Sequence, residues 1–600
     1  MTVSKEIKWD LSIIFNNNQE VREFISLMDK KIVRFQSKFK GKINQENTGI
    51  EELYGFLEEW NEVSSEIWGV VNYAWNQLNA NQTIKESLEL MNTANNLSTK
   101  RMMIMAAFQI ELGKMLKDSN NIIKDPRLTD YRHFLEKIVA KTEYMLSEEE
   151  EKIVVEKDRY GKKGWAKLQS EWLSSRQFTI LDEGTEKTVN FGDFYRYTRS
   201  PIRETRKNAM VSIVGNNGLG KDKELYAAAL RSICGDHLLT SKRRKNPSTF
   251  TSSLLTNDVT QTQVDHLLEV IEENAHLFQE FLLLKAKIMG SFKKLQGEDL
   301  WAPIPAVPTG FENMSWEKAE EIIIKVYSEF DNEFGDIAKK MFKEKHIDAS
   351  PRKGKRAGAY CSSFKFKKEA FILMSFAETF NDVETLAHEM GHAVHSYMSV
   401  NRQKSLNDAL SYCIAEVASE FGRFLFVDHF LEHTQDENVK KFILFNHLET
   451  LAIICFEVGS RTTFEKSLYD AIEAGEYLDG EKISDLFVKA RKKFFGDAIE
   501  FLPEQRYDWI WKPHYYRTDL RYYNYPYYYA ELLVMALYNK FKKEGDKFVP
   551  QFKDLLSTGG SESALQLGKN MGINLESKEF WQLGLTEFKT ILNETKKLFS

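Results

Sequence analysis

The stretch Asn381–His392 reads NDVETLAHEMGH and contains one HExxH, His388-Glu389-Met390-Gly391-His392. On a helix, residues four apart lie on one face about one turn from each other. His388 and His392 can therefore aim imidazole nitrogens at one ion. Glu389, one position after the first histidine, is rotated to flank that ion, where a carboxylate can take a proton from an activated water. The pattern describes a hydrolytic site with Zn2+, one ion, as its cofactor. The bland alternative is a buried helix that happens to carry two histidines.

A catalytic zinc needs a third protein ligand and an open fourth position. His395 lies about 10 Å along an unbroken helix axis from His388, which suits support or packing better than ligation. The metzincin pattern would need a turning glycine at His395 and a histidine at Met398, and has neither. The spacing of many aminopeptidases and thermolysin-like enzymes would place a glutamate at Ser411 or Tyr412, where none stands. Glu416 comes next, with 23 residues between it and His392. Glu420, one turn later on the same face, competes with it.

These side chains need elements to position them. Asn381 followed by Glu384 three residues on reads as a helix cap. Leu386, Met390 and Val394 at four-residue steps give that helix a buried stripe. Ala415–Leu431 reads as a second helix, carrying both glutamates. Ahead of the motif, the basic loop Ser350–Gly358 leads into two β-type runs, Ala359–Phe366 and Phe371–Phe376, expected to form a small hairpin. Residues 1 to about 175 read as amphipathic helices, with Leu53, Phe56, Leu57 and Trp60 recurring at helical steps. A further hairpin is expected from Gln177 to Phe191, turning at Asp182-Glu183-Gly184. Helices resume after Pro201, and the proline cluster of Leu300–Met314 reads as an irregular connection.

Composition sets the outer limits. The 600 residues are 42% hydrophobic and 28% charged with a net charge of -6, so no nucleic-acid partner is expected. With 11 prolines and 31 glycines, helix breakers are scarce and a mainly α chain of at least two lobes is predicted. The basic run Lys242–Lys245 is expected to be an exposed loop. The four cysteines show no metal-like pairing, which suits a reducing compartment. No apolar leader and no run of about 18 apolar residues is read. The expectation is a cytoplasmic protein without a membrane partner.

HEMGH with Glu416-Val417-Ala418-Ser419-Glu420-Phe421 downstream resembles the oligoendopeptidase F branch of the thimet oligopeptidase family of HExxH zinc metallopeptidases. Trp9-Asp10-Leu11, the run Gly354–Cys361 and Glu531-Leu532-Leu533-Val534 are similar to segments of the same branch. The resemblance implies two helical lobes around a deep substrate channel, with a small β-hairpin or sheet next to the zinc helix. It divides the chain into an N-terminal helical lobe, 1–200, and a catalytic domain, 201–600. It implies an endopeptidase of short peptides with His388, His392 and Glu416 as metal ligands and Glu389 as general base. Glu420 stands where relatives have a neutral polar residue. The family's histidine and tyrosines fall on His514 and on Tyr523, Tyr525 and Tyr527, whose hydroxyls suit an oxyanion. About half the tyrosines of 515–529 are expected to serve packing alone. Two other readings remain: an aminopeptidase-type zinc exopeptidase, faintly echoed in Gly310-Phe311-Glu312-Asn313, and a non-catalytic helical peptide-binding protein.

Overall fold

The scarcity of helix breakers is realised as a chain that is 72% helix and 5% strand. The computed structural model describes residues 6–600 apart from 45, 47, 118–120, 292, 305–313 and 408–409. The echo at Gly310–Asn313 and most of the proline connection thus lie outside the described residues.

Three long helices open the chain: α1, Asn18–Phe39; α2, Ile50–Ala80; and α3, Lys85–Lys117. Leu53, Phe56, Leu57 and Trp60 are all buried on one side of α2, as their spacing predicts. Trp60 meets Phe35 of α1 at 5.0 Å between ring centroids, and Phe35 meets Phe108 of α3 at 5.5 Å. Next comes the expected hairpin, β1 (Gln177–Asp182) against β2 (Thr185–Asn190). Glu183 and Gly184 both have positive φ at its turn, the geometry that matches strand twist in a two-residue connection. Lys242 and Arg243 end a helix, Lys223–Arg243, and Arg244 and Lys245 form the turn after it, so the expected loop begins two residues late; Lys242 pairs with Glu473 and Arg244 with Glu151.

The elements around the HExxH are a helix α4 (Trp316–Phe330) and strands β3 (Ile347–Asp348), β4 (Tyr360–Phe364) and β5 (Glu369–Leu373). The motif's helix is α5 (Phe380–Val400), followed by α6 (Val417–His433). The strand order is β3-β5-β4, so β4 is an edge. β5 starts two residues earlier than its aromatic content suggests. Glu369 belongs to it, paired across to Phe364 and held by Lys340 and Tyr397. Beyond Leu373 the chain stays bonded along the β3 side, with the Met374 and Phe376 amides donating to Asp348 O and Ala349 O. Phe364 and Phe371 bury themselves in the core of α1–α3, and Asn72 and Asn76 of α2 donate to Ser363 O and Ser362 Oγ. The N-terminal helices thus brace the sheet beside the motif.

The helix cap differs from the expected one. Thr379 and Asp382, not Asn381 and Glu384, form the reciprocal box at the start of α5. Both pairs have the same three-residue spacing, but the outer one captures the first free amides.

Two compact units emerge, each assembled from three stretches of chain. The first takes 1–143, 309–434 and 537–573, and the second takes 144–308, 435–536 and 574–600. The boundary expected at residue 200 falls inside the second unit, because the N-terminal helices share their core with the sheet before the motif. In the first unit, the last stretch supplies Phe552, which stacks on Phe421 of α6 at 4.3 Å. Among the described residues one helical run, Glu437–Glu473, is long and apolar enough to cross a membrane by length and composition. It is 67% buried over its most apolar window, the mark of a core helix.

Candidate metal centre

Capping at Thr379 sets α5 so that His388 and Glu389 fall in its third turn and His392 in its fourth. The two imidazole centroids are 5.0 Å apart. Glu416 sits at the junction between a one-turn helix, Tyr412–Ala415, and α6. Its Oε2 lies 3.2 Å from His392 Nε2 and 3.5 Å from His388 Nε2. One ligand atom from each of the three residues lies within 4.8 Å of the others.

Two glycines make this convergence possible. A Cβ on Gly391, inside the motif, would stand 2.3 Å from Ala418 O and 2.6 Å from Ser419 Cα. A Cβ on Gly422 would stand 2.1 Å from Tyr327 Oη. The backbones of α5 and α6 therefore approach at van der Waals contact one turn from Glu416. Tyr327 of α4 reaches the same contact, donating to Ala387 O of α5 at 2.6 Å beside Gly422.

The electrostatics separate the carboxylates. Burial opposes ionisation of Glu416, but the hydrogen bond and charge of His392, with His388 and Ser419, hold its carboxyl below the usual range. Burial pushes Glu389 up to about 7, Glu416 adds to the rise, and His392 and the Cys361 amide oppose it. Glu389 is 6% exposed, and its Oε2 is buried without a hydrogen-bond partner. That orphan oxygen beside two imidazoles and a carboxylate suits a site built for an ion and a water, and the donor set fits a zinc-class cation.

Sequence reasoning missed part of the surroundings. Glu420 Oε1 lies 3.4 Å from His388 Nδ1, and its other oxygen pairs with Arg423 at 2.5 Å. Glu420 therefore faces the back of His388 while Glu416 faces the shared side. Its four-residue offset from Glu416 was the available signal. His395 is buried with both ring nitrogens unpartnered, and burial pushes it down to about 3, so it stays neutral. A cavity of about 450 Å³ opens on His388, Glu389, His392 and Glu416, walled by β4 at Cys361 and Ser363.

His514 and the tyrosines belong to the second unit. His514 stacks on Tyr523 at 5.6 Å and meets Tyr527 edge-on at 6.0 Å, and the two tyrosines are 5.5 Å apart. Arg517 covers Tyr523 at 3.8 Å. Burial, with Arg461 and Lys512, pushes His514 down to about 4. Tyr525 is different: it is fully buried, and its hydroxyl accepts from Asn257 at 2.9 Å. Tyr515, Tyr516, Tyr522, Tyr528 and Tyr529 are buried as well. Pro526 interrupts nothing, because it stands in the first turn of α7, Tyr525–Glu544.

A mainly helical fold whose HExxH faces a glutamate from the following long helix defines a metallopeptidase. The profile of peptidase family M3 matches residues 313–587, and that of oligopeptidase F matches 117–178. The chain belongs to peptidase family M3, in its oligopeptidase F branch. Oligopeptidase PepF of Bacillus subtilis (strain 168) is 27% identical over 99% of this chain and 88% of its own length. An oligoendopeptidase F homolog of Borreliella burgdorferi is 25% identical over 100% of this chain and 99% of its own. The crystal structure of oligoendopeptidase-F from Enterococcus faecium shares the fold with a TM-score of 0.70. It is 20% identical and covers 97% of this chain and 99% of that one.

Proposed function

We propose that this chain is a zinc-dependent endopeptidase that hydrolyses internal peptide bonds of short oligopeptides. The observation that carries the reading is the meeting of His388 Nε2, His392 Nε2 and Glu416 Oε2 beside the unpartnered Glu389 oxygen. His388, His392 and Glu416 would hold one zinc ion, whose Lewis acidity acidifies water and polarises a carbonyl. Glu389 takes the proton of the attacking water on Oε2 and later delivers it to the leaving amine. Burial disfavours its ionised form, which favours taking up and holding that proton.

His514, Tyr523 and Tyr527 are the proposed donors to the tetrahedral oxyanion. Tyr525 is assigned to packing, because its hydroxyl is already engaged with Asn257. The edge strand β4 would pair with extended substrate backbone, which is tolerant of side-chain identity and gives broad specificity. The names of the relatives support the oligopeptide substrate class, and the composition supports a cytoplasmic protein.

Peptides of graded length and one folded protein, incubated with and without chelator and read by mass spectrometry, test this reading. Internal cuts in short peptides that vanish with chelator are expected. Stepwise trimming from one end would instead mark an exopeptidase, and no cleavage by zinc-loaded protein would mark a binding protein.

A further inference from the structure

Three groups of histidine and carboxylate donors occur among the described residues. One is the catalytic set. A second, Glu344, His346 and Glu369, is already engaged: Lys340 and Tyr397 hold the Glu369 carboxylate, and Tyr397 also meets His346 Nδ1. The third joins Glu329, in the last turn of α4, to His429 and His433, in the last two turns of α6.

This third group repeats the helical logic of the HExxH without its glutamate. His429 and His433 are four residues apart, and their rings stack at 4.3 Å. His433 Nδ1 lies 2.8 Å from the His429 carbonyl oxygen. A carbonyl only accepts, so Nδ1 carries the proton and Nε2 of His433 presents its lone pair. Such a backbone hydrogen bond is how metal-binding histidines are commonly oriented. His429 Nδ1 lies 2.9 Å from Glu329 Oε2. Lys325 Nζ, 3.8 Å from Glu329 Oε1, is the cation that faces the carboxylate. The group also sits at the C-terminal end of α6, where the helix carbonyls favour positive charge.

We propose that Glu329, His429 and His433 form a second metal site, separate from the catalytic centre, that takes a first-row divalent cation of the Zn2+, Co2+ or Ni2+ class. Two imidazoles and one carboxylate select these ions over Ca2+ and Mg2+, which want all-oxygen shells. Filling the site joins the end of α4 to the end of α6. Both helices flank α5: Tyr327 of α4 holds Ala387 O, and Glu416 is the N-cap residue of α6. The ion is therefore a clip between two helices that position the motif, and its first effect is on stability.

The test uses apo full-length protein dialysed against increasing Co2+, with the bound metal counted by elemental analysis. Two ions per chain are expected for the wild type, and one for His433→Ala and for Glu329→Gln, with peptide cleavage unchanged at one ion per chain. Excess Zn2+ should raise the melting temperature of the wild type more than that of either variant. One ion in the wild type, or two retained in both variants, overturns the proposal. Both variants alter exposed side chains, so a folding failure is not expected to obscure the count.

Discussion

Glu389 and Glu416 face the same two imidazoles, yet burial lifts one carboxyl while hydrogen bonds hold the other down. That division assigns them different work. Glu389→Gln is expected to lower kcat by about 10²–10⁴-fold while leaving the metal content unchanged, which a zinc assay beside a peptide assay would show. Glu416→Ala should lose the metal. Glu420→Ala, which removes only the carboxylate behind His388, should weaken metal affinity by about 10-fold or more and leave Glu416 in place. If Glu420→Ala empties the site and Glu416→Ala does not, the two roles are exchanged. His388, Glu389 and His392 were legible in the sequence because one helical turn sets their geometry. The contact of Glu420 with His388 was not, since it depends on how two helices approach.

That approach is decided by α5 and α6 as elements. Gly391→Ala puts a methyl group 2.3 Å from Ala418 O, a backbone atom that cannot swing aside. The helices must separate, and a loss of about 1–3 kcal/mol of stability together with weakened zinc binding is expected. Chemical denaturation and zinc titration of the same variant would check both. The sequence carried the helix and both glycines, but a glycine inside HEMGH does not say which backbone it admits. The hairpin beside the motif was legible as two β-type runs. The true extent of β5 was hidden, because Glu369 earns its place through Lys340 and Tyr397, far away in the chain.

A pH effect belongs to another element, the helix Lys223–Arg243. Burial pushes His237 down to about 4, although Thr249 O accepts from its ring at 2.8 Å. The unfolded chain takes up this proton near pH 6.5, and the folded chain only near 4. Stability from the neutral imidazole is therefore full above about 6.5 and lost as pH falls towards 4, by about 3 kcal/mol in all. Urea unfolding at pH 7 and pH 4.5 should show a smaller acid loss for His237→Gln than for the wild type.

At the scale of the molecule, the mainly α class followed from composition, and the helical core of α1–α3 from periodicity. The division into units did not, because it is set by which core each stretch joins. Phe364 and Phe371 bury among the first three helices although more than two hundred residues separate them from α3. A fragment spanning 201–600 lacks that core and is expected to be insoluble or unfolded, as circular dichroism and limited proteolysis would show.

The weaving of each unit from three stretches also orders events in time. The first unit waits for 537–573 and the second for 574–600, so neither is complete until nearly the whole chain has left the ribosome. The nascent polypeptide carries two open cores together for most of its synthesis, the condition under which chaperones are most needed. A stop codon or proteolytic nick just after residue 536 would remove Phe552 from beneath α6 and the closing helix of the other unit in one stroke. Both units thus depend on the same stretch, 537–600, for their completion.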